Sequence, residues 1–252
     1  MLSIFKRSKK ETAAAPQERV EDFSFLGCDM HSHLVPGIDD GAQSLEESVA
    51  MVGNLVGKGF RKLIITPHVQ GDFYQNNTAI IQQGLQTLKQ GLAQAGIDIP
   101  VSASAEYFLD GYFLREVLPH GLMAFGNNQV LVEVSMAGWP RNFNEILFEV
   151  QALGYKPILA HPERYLFEDK AEVFMALKEK GVQMQLNVLS VSGYYGRTVK
   201  QNAETYMQAR LYDYCGTDMH HERHASNIGR LITDRQETML QLKQYGFLNH
   251  TL

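Results

Sequence analysis

Seven short apolar runs separated by stretches of helical spacing constrain this chain more than any other feature. The runs are FSFLGCDM (23–30), KLIITP (62–67), IPVSASAEY (99–107), QVLVEVS (129–135), KPILAHP (156–162), VQMQLNV (182–188) and LYDYCGTDM (211–219). Each has the length and composition of a strand. Between them, helices are expected over 44–60, 76–95, 143–153, 168–180, 201–210 and 227–245. The first opens with SLEE, where Ser44 followed by Glu47 is a capping-box signature. Gly96, Gly154 and Gly181 follow the last periodic residue of three others, as helix ends require. Strands alternating with helices predict a parallel α/β fold. The even spacing, without a G-x-G-x-x-G fingerprint, favours a closed or distorted β/α barrel over an open doubly wound sheet.

The C-terminal ends of these runs are polar in a consistent way. In chain order they deliver His31 and His33, His68, Glu106, Glu133, His161 with Glu163 and Arg164, Asn187, and Asp218 with His220. In a β/α barrel those ends form the active-site face. A single such residue is ordinary, but nearly every strand supplying one conflicts with core packing, where unpaired charge is costly. Residues i and i+2 of a strand share a side, so His31/His33 and Asp218/His220 can each present two ligands to one place. His31, His33, Asp40, His68, Glu106, Glu133, His161, Asp218 and His220 are therefore the candidate metal ligands. A catalytic ion takes three or four protein ligands, so nine candidates suggest two or three ions with bridging carboxylates. Imidazole and carboxylate without thiolate suit Mn, Fe or Zn.

Composition limits the alternatives. The 252 residues are 44% hydrophobic, enough for one large domain, expected over 21–252. A net charge of −5 gives no reason to expect a nucleic-acid partner. Cys28 and Cys215 lie in apolar runs and are expected to be buried free thiols in a reducing, cytoplasmic compartment. No run of about 18 apolar residues predicts a transmembrane helix, and the start lacks the apolar core of a signal peptide. Residues 1–20, basic at KRSKK and then rich in Ala, Gln and Glu, are expected to form a disordered tail.

The blocks DMHSHLVPGIDDG (29–41), TPH (66–68), AE (105–106), HPER (161–164) and GTDMH (216–220) resemble, in this order, the PHP (polymerase and histidinol phosphatase) superfamily. The resemblance spans most of the chain and points to the bacterial manganese-dependent protein-tyrosine phosphatases of capsule or exopolysaccharide systems. It implies a distorted (β/α)7 TIM-like barrel with a trinuclear centre. His31, His33, Glu106 and Asp218 would serve one metal, His68, His161 and bridging Glu106 a second, and Asp40, Glu133 and His220 a third. It implies phosphate contacts from Arg164 and from a second arginine after the last block, where Arg223 and Arg230 both stand. The implied substrate is a phosphotyrosine protein, a bacterial tyrosine kinase of polysaccharide export.

Phosphate monoesters hydrolyse extremely slowly unaided. Paired metals can supply hydroxide at neutral pH and clamp an in-line displacement, and an arginine fork matches the phosphoryl oxygens. Direct attack by metal-bound hydroxide, without a phosphoenzyme, is the expected route. The cysteine route needs C-x5-R, but Leu34 and His221 stand six residues after Cys28 and Cys215, and no G-x-S-x-G elbow occurs. Among the aromatics near the ligands, Tyr194 and Tyr195 are expected to wall the phenolic leaving group. The competing readings are a small-molecule phosphatase of the histidinol-phosphate type and a non-catalytic metal-binding interaction module.

Overall fold

The computed structural model describes residues 18–168 and 170–252. Parallel strands form two sheets. The first contains β1 (Cys28–Asp29), β2 (Lys62–Ile65) and β4 (Val101–Ala103) in the order β1-β2-β4. The second runs β3 (His68–Val69), β5 (Glu106–Phe108), β6 (Gln129–Glu133), β7 (Lys156–Ala160), β8 (Gln183–Asn187) and β9 (Tyr214–Gly216). Helices α1 (Leu45–Gly57), α2 (Thr78–Gln94), α3 (Phe143–Ala152), α4 (Ala171–Glu179), α5 (Arg197–Gln208), α6 (Glu222–Asp234) and α7 (Gln236–Tyr245) intervene. Every strand pair is parallel, as alternating strands and helices require.

Strand pairing does not draw one closed barrel. The expected strands at 62–67 and 99–107 are each broken in two. Pro67 follows β2 and has no N–H to donate. Contact across the break persists through Ser104 N donating to Ile65 O (2.8 Å) and Glu106 N to Pro67 O (3.0 Å). Between β1 and β9, side chains replace a ladder. Asn249, fully buried, accepts from Cys215 N (3.0 Å) and donates to Cys28 O (2.9 Å) and Cys215 O (2.6 Å). Further along, Asp29 accepts from Thr217 N (2.8 Å) and Thr217 Oγ1 (2.7 Å). Beyond that, Asp218 N donates to His31 O (2.7 Å), His33 N donates to Met219 O (2.8 Å), and Ser32 and Met219 form a parallel bridge.

Three boundaries differ from the sequence pattern. The apolar run at 23–30 yields only β1, because Phe23 folds inward and stacks on Phe60 (5.6 Å). The helix expected over 227–245 is two helices. Gln236 Nε2, not a backbone N–H, donates to Ile232 O (2.5 Å), so the side chain takes the acceptor that a continuous helix would use. Of the tail expected over 1–20, residues 1–17 lie outside the described residues. The last three belong to the fold: Val20 is buried, its N donates to Gln236 Oε1 (2.9 Å), and Glu18 pairs with Lys243 (2.7 Å). The α1 cap is as expected, with Glu47 N donating to Ser44 Oγ (3.2 Å). Both cysteines are buried free thiols, and burial pushes Cys28 up to about 12. No described helix is long and apolar enough to cross a membrane.

Candidate metal centre

Four ligand atoms converge just past the ends of β1 and β9 and at the start of β5. His31 Nε2 lies 3.2 Å from His33 Nε2, 3.1 Å from Glu106 Oε2 and 3.3 Å from Asp218 Oδ1. His33 Nε2 lies 3.3 Å from the same Glu106 oxygen and 3.4 Å from the same Asp218 oxygen. All four residues are buried. A tetrahedral ion with ligands about 2.0–2.1 Å away holds those ligands roughly 3.3 Å apart, so the spacing fits one ion. Close backbone approach makes the arrangement possible: a Cβ on Gly41 would collide with His33, and one on Gly216 with His31.

A second group shares Glu106. His68 Nδ1 is 3.2 Å from Glu106 Oε2 and 3.1 Å from Glu133 Oε1, yet it is buried and makes no hydrogen bond among the described residues. A bare nitrogen facing two carboxylates fits a shared cation. His161 Nε2 reaches the other Glu106 oxygen at 3.2 Å. At the rim, His68 Nε2 and His220 Nε2 lie 3.5 and 3.6 Å from Asp40 Oδ1, and the His33 and His220 rings stack at 3.9 Å. His33, Asp40, His68 and His220 thus make a third group. All nine candidates meet in one place. The division differs from the one the resemblance implies: Glu133 faces His68 and Glu106, not Asp40 and His220, because β6 places it beside β5. His161 joins only through Glu106.

Neighbouring groups fix the imidazoles. His33 Nδ1 is 2.8 Å from Asp39 Oδ2, His31 Nδ1 is 3.0 Å from Gln185 Oε1, and His220 Nδ1 is 2.9 Å from Asp218 O. Each acceptor can receive a hydrogen bond from Nδ1–H, which orients Nε2 toward the cluster. Burial pulls the His31 pKa down, but Glu106 and Asp218 outweigh it and raise it to about 9 in the metal-free protein. Burial opposes ionisation of Asp39, but His33 prevails and lowers it to about 2. Burial and the neighbouring His33 lower His220 to about 4.

Arg164 Nη1 donates to Asp218 Oδ2 (2.7 Å), and its guanidinium lies 4.5 Å over the Tyr195 ring. His161 (φ 35°) and Asp218 (φ 50°) both adopt left-handed backbone, at a cost of about 1–3 kcal/mol each. Tyr195 OH accepts from Asn187 Nδ2 (3.1 Å), and Tyr194 packs edge-on against Tyr195 and His224. A cleft of about 610 Å³ opens beside the rim, lined by Asp40, Met51, His220 and Arg223 among others. Arg230, two turns further along α6, is exposed and not among its lining residues.

The sequence pattern of the capsular polysaccharide synthesis CpsB/CapC family matches residues 27–231. The chain belongs to this family. Its CpsB/CapC relatives include the tyrosine-protein phosphatase YwqE of Bacillus subtilis (strain 168), 27% identical over 194 residues and 76% of each chain. The tyrosine-protein phosphatase CpsB of Streptococcus pneumoniae is 25% identical over 199 residues, 76% of this chain and 82% of that one. A solved structure described among the metal-dependent tyrosine phosphatases YwqE and CpsB superposes with a TM-score of 0.74 at 25% identity, over 86% of this chain and 91% of that one. An amidohydrolase from Mycoplasma synoviae, with a TM-score of 0.57 at 11% identity over 90% and 87% of the two chains, shares the fold alone.

Two orienting residues of this CpsB/CapC chain are not among the sequence candidates: Asp39 and Gln185, which orient His33 and His31. Asn187, expected only as a polar strand end, donates from Nδ2 to Asp218 Oδ2 (2.8 Å). Gln185 and Asn187 alternate in QMQLN, so polar side chains two apart inside an apolar strand were the available signal. Nothing local separates Asp39 from Asp40. His221 caps α6 by accepting from His224 N (3.3 Å), and His224 Nδ1 lies 3.1 Å from Asp218 O, which accounts for two further histidines in the last block.

Proposed function

We propose that this chain is a metal-dependent phosphatase that hydrolyses phosphotyrosine in proteins. The observation that carries the reading is the tetrad of His31, His33, Glu106 and Asp218, with Arg164 anchored on the second oxygen of Asp218. The names of YwqE and CpsB support extending their tyrosine-phosphatase activity to this chain. The two sheets then act as one distorted (β/α)7 barrel of the PHP type, spanning 21–252 as a single domain, with the Ser32–Met219 bridge at its seam.

The donor set of imidazole and carboxylate suits two or three divalent ions, Mn2+ first and Fe or Zn as alternatives. The tetrad would hold one. His68, Glu106 and Glu133, with His161, would hold a second, and Asp40, His68 and His220, with His33, a third. Bound there, the metals would supply Lewis acidity and lower the pKa of a water. Arg164 holds the phosphoryl group: a guanidinium has five N–H donors, and anchoring one on Asp218 leaves the others for phosphoryl oxygens. Arg223, on the cleft with Asp40 and His220, is the second phosphate contact in preference to Arg230. Tyr194 and Tyr195 wall the phenol, and Arg164 stacked on Tyr195 couples that wall to the phosphate grip.

The natural substrate in this reading is a tyrosine kinase of polysaccharide export, met in the cytoplasm. The cleft beside the rim carries Asp40, Glu47 and Glu222 as well as Arg223, so it lacks the basic lining that a small phosphorylated metabolite would favour. The test is phosphate release from a tyrosine-phosphorylated peptide with Mn2+ and with excess chelator, beside histidinol phosphate. Mn-dependent release from the peptide alone is expected. Release from histidinol phosphate alone would overturn the substrate assignment, and release in chelator would overturn the metal chemistry.

A further inference from the structure

Glu163 is fully buried and forms no ion pair among the described residues, because the adjacent Arg164 turns its guanidinium to Asp218. Its carboxylate accepts three hydrogen bonds instead. Asn187 N donates to Oε1 (3.0 Å), Ser190 Oγ to Oε1 (2.7 Å) and Tyr212 OH to Oε2 (3.0 Å). Its backbone O accepts from Asn202 Nδ2 on α5 (3.3 Å). A buried carboxylate is costly unless so satisfied, and here three donors hold it while Asn202 holds its backbone.

Those segments lead to one point. Glu163 sits in the turn that carries Arg164. Asn187 ends β8 and sends its Nδ2 to both Asp218 Oδ2 (2.8 Å) and Tyr195 OH (3.1 Å). Ser190 opens the short helical turn that leads to Tyr194 and Tyr195. Tyr212 leads into β9, which ends at Gly216, two residues before Asp218. Among the described residues, the two groups that hold the Arg164 guanidinium, Asp218 Oδ2 and the Tyr195 ring, are therefore tied back to the Glu163 carboxylate.

We infer that Glu163 is a positioning residue that sets the Arg164 guanidinium against the phosphoryl group of the substrate. The inference rests on the phosphatase reading above and names what holds its phosphate grip. Glu163 touches neither substrate nor metal. It acts by fixing the turn under Arg164 and the two groups, Asp218 and Tyr195, between which the guanidinium is clamped.

The experiment is a double-mutant cycle between Glu163→Ala and Arg164→Ala in the metal-loaded protein. Turnover of a phosphotyrosine peptide, affinity for inorganic phosphate and bound metal content are all read. Glu163→Ala is expected to lower kcat and weaken phosphate binding by about tenfold or more with metal content unchanged. In the Arg164→Ala background it is expected to cost less than about twofold, because the group it positions is gone. Glu163→Gln is expected to stay near wild type, since its amide oxygen still accepts from Asn187 N and Ser190 Oγ, and the Tyr212 hydroxyl can turn to accept from its amide N–H. Should Glu163→Ala fail to fold, Ser190→Ala with Tyr212→Phe removes two of the three donors and enters the same cycle. Equal losses with and without Arg164, or loss of metal, would overturn the inference, as would no loss at all. Wild-type protein that binds phosphate but releases none from the peptide overturns the phosphatase reading instead, and the phosphate-binding arm still decides the role of Glu163.

Discussion

Arg164 and Asp218 share one carboxylate oxygen at 2.7 Å while the other oxygen of Asp218 faces His31 and His33. A single side chain thus belongs to the ligand cluster and to the arginine anchor. Arg164→Lys keeps the charge but loses the planar fork. We expect kcat to fall about 100-fold, in line with loss of a donor aimed at transition-state charge, with the metal content of the purified protein unchanged. Metal loss accompanying the fall in rate would mean that Arg164 chiefly holds Asp218 in place.

Asp39 grips His33 Nδ1 with one oxygen, at 2.8 Å, and Gly41 N with the other, at 2.9 Å. Asp39→Asn removes the charge that fixes the His33 tautomer. Metal affinity is expected to drop roughly 10–100-fold, measured by calorimetric titration of the metal-free protein. Affinity equal to wild type would show that ring packing alone orients His33.

Proton competition sets a pH dependence. In the metal-free protein the His31 pKa is raised from 6.5 to about 9, and His33 is raised as well. The His31 contribution to metal-free stability is therefore complete below pH 6.5 and disappears as pH rises through 9, and His33 acts in the same direction. Metal needs the same nitrogens unprotonated, so loading expels these protons and strengthens with pH. The stability gap between loaded and metal-free protein should widen from pH 6.5 to 9, by about 1.4 kcal/mol per pH unit for each proton displaced, and the gap in Tm with it. Melting curves at three pH values in that window check it, and a constant gap would contradict it.

The convergence of the candidate ligands was legible in the sequence because strand periodicity turns His31-Ser32-His33 and Asp218-Met219-His220 into same-side pairs, and parallel order puts strand ends on one face. The breaks in the sheet were harder to see. Pro67 could have warned of one, but nothing near Ser104 marks the other, which follows from how its neighbour is broken. Asn249 was invisible for a different reason: it lies 34 residues from Cys215 and 221 from Cys28, so its role exists only after the chain has closed. The grouping of Glu133 with His68 likewise depends on strand register, which a linear pattern does not contain.

That seam gives a stability prediction. Asn249→Ala would leave Cys215 N, Cys215 O and Cys28 O without their partner inside the protein. Unpaired buried backbone groups cost about 1–3 kcal/mol each where water cannot reach them. We expect a loss of roughly 3 kcal/mol in urea unfolding. An unchanged midpoint would mean that the seam is held without Asn249, by Asp29 with Thr217 and by the backbone bonds of His31 and His33.

The two tyrosines beside Arg164 separate substrate recognition from chemistry. Tyr195 is pinned by Asn187 and by the guanidinium, and Tyr194 packs on its edge at 4.9 Å, so the pair presents a rigid aromatic corner. Both rings are half-buried, and their packing against the core accounts for part of that. A Tyr194→Ala/Tyr195→Ala double variant is expected to lose about tenfold or more in kcat/KM on a phosphotyrosine peptide, as for removal of aromatic contact area. On a small generic aryl phosphate, which needs less of the wall, the loss should be several times smaller. Equal losses on both substrates would assign the tyrosines to holding Arg164 and Asn187 in place and would remove them from the leaving-group wall.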